Sequence, residues 1–247
     1  MTVILPPLRV WSKTLENRCV PDEIPVYWKA HDVITFLADT GMYDPTLSQG
    51  LDDAEKERVL QFKSHYYKKR FIVSRSLLKN ILRHINGTGN RDEIVLSRER
   101  ERILVNGWPD MHICLSYSGS SIAVSVAKRK IGVDIEGVRP VDIKKIRSSP
   151  LFEGSKCRNK KEESLQALHI WTLVEAWAKL RDSNPYQFLN SSSLLYDASF
   201  VSYCVDRRLI LSLASDTGNL DHAMFWIEPQ TFSSRAKNEN LPGHRGR

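Results

Sequence analysis

Apolar positions recur along the chain with two periods, one helical and one of alternating strands. A first strand is expected at Val26-Tyr27-Trp28. From Leu51 the spacing turns helical: Leu51, Ala54, Arg58 and Phe62 follow Asp52 or Asp53, either of which can cap the first turn. A second helix, expected over about residues 66–85, puts Phe71, Ser74, Leu78, Ile81 and Leu82 on one face, and Asn86-Gly87-Thr88-Gly89-Asn90 closes it. Strands are expected at Ile94-Val95-Leu96, at 112–117, at 122–127 after a Ser118-Gly119-Ser120 turn, and at 131–136 after Lys128-Arg129-Lys130. Residues 139–161 carry eight basic side chains against two acidic ones and read as a short helix plus a mobile loop. A strong helix is expected over 162–180, followed by Ser183-Asn184-Pro185 and by strands near 200–205, 209–214 and 224–227. From Ser233 the chain is polar and is expected to be disordered. Helices, a meander, a helix and a second meander describe an α+β chain of two similar lobes.

Length and composition set the limits of this picture. The 247 residues are enough for one large domain or two small ones, and 41% hydrophobic with 26% charged residues is an ordinary globular mix. No apolar run approaches the roughly 20 residues of a membrane helix. Val3-Ile4-Leu5 stops at Pro6-Pro7 with no basic segment before it, unlike a signal peptide. Cys19, Cys114, Cys157 and Cys204 lie far apart without metal-ligand spacing, and read as reduced packing residues of a cytoplasmic protein. Lys plus Arg number 36 against 29 for Asp plus Glu, and the resulting +7 favours an anionic partner without choosing among nucleic acid, phosphorylated small molecules and an acidic protein.

Candidate chemistry narrows the choice. In Gly132-Val133-Asp134-Ile135-Glu136 the strand period sends Val133 and Ile135 to one face and Asp134 and Glu136 to the other. Two adjacent carboxylates repel unless a cation or a proton lies between them, and an oxygen-only set suits Mg²⁺ shared with substrate phosphates. On spacing alone, a charged strand face in water is the commoner meaning. Trp171, Glu175 and Lys179 stack at i, i+4 and i+8 on the expected helix, where a surface ion pair is again the ordinary meaning. Arg70-Phe71-Ile72-Val73-Ser74-Arg75, with Arg58 and Lys56 earlier, offers cations for a phosphate. Ser116-Tyr117-Ser118-Gly119-Ser120-Ser121 lacks the G-x-S-x-G elbow of a nucleophile and reads as a turn whose hydroxyls can donate to a phosphate. None of the seven histidines pairs with another at metal-ligand spacing.

Taken in order, these residues resemble the 4′-phosphopantetheinyl transferases of the large, two-lobed Sfp type. Arg70-Phe71 through Arg75-Ser76-Leu77-Leu78 is like that family's RF-xxx-R-xLL helix, and Gly107-Trp108-Pro109 is like its G-x-P adenine-side loop. Ser116-Tyr117-Ser118-Gly119 is like its SHSG, Gly132 to Glu136 is its GVDIE unchanged, and Trp171 through Glu175-Ala176 to Lys179 follows its WxxKEAxxK. The departures are Tyr117 for the histidine, Val174 for a lysine, Trp108 for a common lysine, and no recognisable FFSxxE segment, although Glu153 lies nearby.

The resemblance implies transfer of phosphopantetheine from coenzyme A to a serine of an acidic acyl or peptidyl carrier protein, with release of adenosine 3′,5′-bisphosphate. It implies Mg²⁺, with Mn²⁺ as substitute, on Asp134, Glu136 and Glu175. Glu175, Lys179 and Asp134 would carry catalysis. Arg58, Arg70, Lys56, Gly107, Trp108, Pro109, Ser116, Tyr117 and Lys179 would contact coenzyme A. It further implies a monomer whose lobes are related by pseudo-twofold symmetry, each a small antiparallel sheet on a long helix. Residues 1–130 would form the coenzyme A side, 131–232 the metal side, and 233–247 a tail. No nucleic acid or membrane is expected. Two alternatives stay open: a degenerate member that binds coenzyme A or a carrier with little transfer, and a basic nucleic-acid-binding protein, although no zinc-finger, RNP or helix-turn-helix signature is present.

Overall fold

The computed structural model describes residues 5–42, 45–87, 94–99, 102–141, 144–152, 157–189, 198–216 and 218–227. Glu153 and the polar tail from Ser233 lie outside them. In chain order the elements are β1 (Leu8–Trp11), α1 (Ile24–Ala30), β2 (Val33–Asp39), α2 (Asp53–Gln61), α3 (His65–Asn86), β3 (Leu96–Glu99), β4 (Arg102–Val105), β5 (His112–Ser118), β6 (Ser121–Ala127), β7 (Ile131–Gly137), α4 (Lys144–Arg147), α5 (Lys160–Arg181), β8 (Ser199–Val205), β9 (Leu209–Ser215) and β10 (His222–Trp226).

Local chemistry accounts for the helix boundaries. Asp52 caps α2 in a reciprocal box, accepting from Glu55 N at 2.9 Å while Glu55 accepts from Asp52 N at 3.2 Å. Gly87, at a φ of 70°, ends α3 in the left-handed region. Asn159 caps α5 by accepting from Lys161 N and Glu162 N, which starts that helix two residues earlier than the apolar pattern alone predicts.

The strand expected at Val26-Tyr27-Trp28 is instead the middle of α1. Pro21 opens a 3-10 turn ahead of it and Pro25 stands in the helix's first turn, where a fixed φ and a missing N–H cost nothing. Ile24 is buried while Val26 is 63% exposed, a helical rather than an alternating pattern. The strand lies just beyond, in β2. That segment is buried along almost its whole length because α3 covers one face of it and a four-stranded sheet the other, so its apolar run shows no period of two.

Two mixed sheets result, a correction to the purely antiparallel sheets expected. The six-stranded sheet has the order β10-β2-β6-β5-β4-β3, with β10 parallel to β2; the four-stranded sheet has the order β1-β8-β9-β7, with β1 parallel to β8. The chain's two ends are exchanged between them: β1 joins the sheet of β7–β9, and β10 joins the sheet of β2–β6. Ile72, Leu78, Ile81 and Leu82 of α3 pack on Ile34, Phe36, Ile122 and Val124 of the larger sheet. Val33, Leu37 and Ala123 from its other face share a core with Val133, Ile135, Leu211 and Leu213 of the smaller sheet. Ile170, Val174 and Trp177 of α5 join Ala214 in a third cluster.

Candidate active site

Gly132 fixes the distance between β7 and α5. A Cβ built on it would stand 1.8 Å from the Ala176 carbonyl oxygen, so no other residue allows this approach of strand to helix. The contact brings Asp134, two residues on and on the same face, against Glu175 and Lys179, which bracket Ala176. Val133 and Ile135 are fully buried on the opposite face, as the alternation predicts.

Asp134 is only 3% exposed. Its Oδ1 accepts from Lys179 Nζ at 2.7 Å and from Ser116 Oγ at 2.8 Å. Lys179 Nζ donates further to Ser116 Oγ at 2.9 Å and to the Val133 carbonyl at 3.1 Å. Burial alone would lower the lysine's pKa, but Asp134, joined by Cys114 and Glu175, outweighs it and holds the ammonium above its ordinary value. Asp134 Oδ2, by contrast, is buried without a hydrogen-bond partner among the described residues. Glu136 accepts from Ser118 Oγ at 3.2 Å and pairs with Arg139 at 3.5 Å. Burial, then the charge of Asp134, pushes Glu175 up to about 7 against the opposing pull of Lys179, with Glu136 adding to the rise. A carboxyl poised near neutrality can take or give a proton under ordinary conditions.

These groups open onto a cleft of about 740 Å³. Asp134, Glu136, Glu175 and Lys179 line it together with Arg58, Arg70, Pro109, Ser116 and Tyr117. The Arg70 guanidinium rests 4.4 Å from the Tyr117 ring centre and 5.0 Å from that of Tyr67. The Tyr117 hydroxyl donates to Ser74 Oγ at 3.0 Å, so its single donor goes to α3. Phe62 and Phe71 give the wall of the cleft an apolar stretch beside Arg58 and Arg75. The remaining residues singled out in the sequence lie off the cleft lining. Lys56 pairs with Asp53 at 3.0 Å, Gly107 sits in a turn at a φ of 81°, and Trp108 packs on the core of the larger sheet. Trp171 faces Tyr186 at 5.5 Å.

Sequence reasoning passed over two contributors. Ser118, expected as a turn residue whose hydroxyl can donate to a phosphate, sends that hydroxyl to Glu136 instead, and its i+2 spacing from Ser116 is the strand period that puts both hydroxyls on one side of β5. Gly132 was read only as part of a motif; its partner lies 44 residues on at Ala176, a separation no local pattern encodes.

No group of three His, Cys, Asp or Glu side chains already spaced to hold a metal is present among the described residues. The donor chemistry nonetheless fits a hard divalent cation: the carboxylates are oxygen-only ligands, one buried oxygen of Asp134 lacks a donor among the described residues, and Glu175 is raised by burial and then by its carboxylate neighbours.

A cleft that joins acidic side chains and a lysine to arginines on an apolar wall offers cationic donors to an anionic group and oxygen ligands to a cation. Comparison with known proteins narrows that chemistry: the chain is similar to 4′-phosphopantetheinyl transferases of the AcpT and Sfp type. It is 31% identical over 125 residues to the 4′-phosphopantetheinyl transferase AcpT of Salmonella typhimurium, covering 48% of this chain and 62% of that protein. Sfp of Bacillus subtilis is 22% identical over 153 residues, covering 56% of this chain and 68% of Sfp. The transferase psf-1 of Bacillus pumilus is 22% identical over 115 residues, covering 45% and 49%. The chain therefore spans about half to two thirds of the length of these three relatives. No protein-family model matches it.

Proposed function

We propose that this chain transfers 4′-phosphopantetheine from coenzyme A to a serine hydroxyl of an apo acyl or peptidyl carrier protein, giving holo-carrier and adenosine 3′,5′-bisphosphate. The observation that carries the proposal is the convergence of Asp134, Glu136, Glu175 and Lys179 in one cleft with Arg58 and Arg70. The named activity of the relatives supports it.

Asp134, Glu136 and Glu175 would hold Mg²⁺, or Mn²⁺ in its place, which when bound would neutralise charge on the coenzyme A pyrophosphate. Glu175, or a water held at the same site, accepts the serine proton. Lys179 stabilises charge on the transferring phosphoryl group and the departing bisphosphate. Arg58 and Arg70 bind the phosphate on the nucleotide side, with Pro109 and Ser116 at the wall of the cleft. Phosphoryl transfer of this kind depends on positioning and charge more than on a strong nucleophile, and the serine needs only to be aligned and deprotonated. The basic segment 139–161 would meet the acidic face of the carrier. We further infer a cytoplasmic monomer of two pseudo-twofold lobes, divided near residue 130 except that β1 and β10 cross to the opposite sheets.

Replacing Asp134, Glu136 or Glu175 singly by alanine is expected to abolish release of adenosine 3′,5′-bisphosphate from coenzyme A in the presence of apo-carrier, with circular dichroism unchanged. Near-normal turnover in any of the three would place the reacting phosphate elsewhere.

A further inference from the structure

Strand β7 is an edge of the four-stranded sheet, yet its outward N–H groups are not left open. They meet three alternating side chains of β5, a strand of the other sheet. Val133 N donates to Cys114 Sγ at 3.2 Å, Ile135 N to Ser116 Oγ at 3.2 Å, and Gly137 N to Ser118 Oγ at 2.8 Å. Each step of two residues along β5 matches a step of two along β7, so the rungs form a ladder of side chain on backbone between the sheets.

The two serine rungs do more than the cysteine rung. A hydroxyl has one proton to give and two lone pairs to receive. Because a β7 N–H already points at each oxygen, the proton is directed away from it, and in both cases it reaches a carboxylate of the same strand. Ser116 donates to Asp134 Oδ1 at 2.8 Å, and Ser118 donates to Glu136 Oε2 at 3.2 Å. Ser116 also receives Lys179 Nζ, which fills its remaining lone pair. Each serine therefore grips the backbone just after a carboxylate and the carboxylate itself.

We propose that Ser116 and Ser118 are positioning residues that transmit the register of β5 to Asp134 and Glu136, setting the rotamers of the acidic pair from the neighbouring sheet. The inference rests on the proposed function, which gives the pair a divalent cation to hold. Partners of this sort fix ligand orientation, and their loss commonly weakens metal affinity by about 10–100-fold. Cys114 supplies an internal control: its rung receives a β7 N–H but passes no proton to a carboxylate.

The test is titration of the full chain with Mn²⁺ alone, followed by electron paramagnetic resonance, with neither coenzyme A nor carrier present. Ser118→Ala should bind Mn²⁺ about tenfold or more weakly than the unaltered chain. Cys114→Ala should bind like the unaltered chain, although both variants lose one rung and should show similar thermal midpoints. Ser118→Thr keeps the hydroxyl and should restore binding. Unchanged binding in Ser118→Ala, or an equal loss in Cys114→Ala, would reduce the ladder to a plain structural seam and overturn the inference. An unaltered chain that transfers phosphopantetheine but does not bind Mn²⁺ would overturn the inference and leave the reaction standing. One that does neither would overturn both.

Discussion

Tyr117 stands where the resembled family carries a histidine, and its two ends serve different neighbours. The hydroxyl is spent on Ser74, while the ring lies under the Arg70 guanidinium. The sequence suggested the hydroxyl as a phosphate donor; the structure gives the ring the more direct part, as a rest for an arginine that lines the cleft. Tyr117→Phe should therefore leave the KM for coenzyme A nearly unchanged and cost stability by about 0.5–1.5 kcal/mol, the worth of one neutral hydrogen bond. Tyr117→Ala removes the ring, and loss of a cation–π contact of about 0.5–2 kcal/mol should raise that KM several-fold. Steady-state kinetics at varied coenzyme A separates the two. A Phe variant as impaired as the Ala variant would put the hydroxyl on the substrate after all.

Between elements, the approach of β7 to α5 is the contact on which the site depends. Gly132→Ala would drive a methyl into the Ala176 carbonyl with backbone on both sides. Overpacking costs about 1–3 kcal/mol where side chains can shift, and here none can, so a loss at or above that range is expected from urea unfolding. A second consequence belongs to α5. His169 is buried with Nε2 unpartnered among the described residues, and burial lowers its pKa to about 4. A free imidazole titrates near 6.5. Between those values the unfolded chain binds a proton that the folded chain does not, so stability falls as pH drops through this window and levels off below about 4. From pH 7 to 5 the contribution is about 2 kcal/mol, and His169→Met should remove it from the difference between urea midpoints at the two pH values.

The elements also show what a sequence can disclose. The cap at Asp52 or Asp53, the apolar face of α3 and the alternation in β7 are local patterns, and each was legible; the reciprocal bond from Glu55 was not read. Strand β2 was not, because a strand buried on both faces loses its period, and the Pro-rich stretch before it resembled a strand while forming α1. The acidic residues of the cleft were legible as a motif. Their support from Gly132, Ser116 and Ser118 was not, because each partner lies in another element and is selected by packing.

For the whole molecule, the exchange of β1 and β10 ties the ends of the chain into opposite sheets, so that each sheet carries a strand from beyond the run that builds the rest of it. Pairings of such separation cannot be read from propensity. Within that frame Arg58 of α2, Arg70 of α3, Asp134 and Glu136 of β7, and Glu175 and Lys179 of α5 meet around one cleft. The net charge of +7 agrees with an acidic macromolecular partner and adds long-range attraction that salt will screen over about 8–10 Å. What the cleft does to that partner is open to a direct measurement. It is tested most directly by incubating the chain with an apo acyl or peptidyl carrier protein, coenzyme A and Mg²⁺, and recording the intact mass of the carrier. The carrier should gain the mass of one phosphopantetheine, and the gain should be absent when the carrier serine is replaced by alanine and absent with Asp134→Ala. A carrier of unchanged mass across acyl and peptidyl types, with the protein folded and coenzyme A in excess, would contradict it.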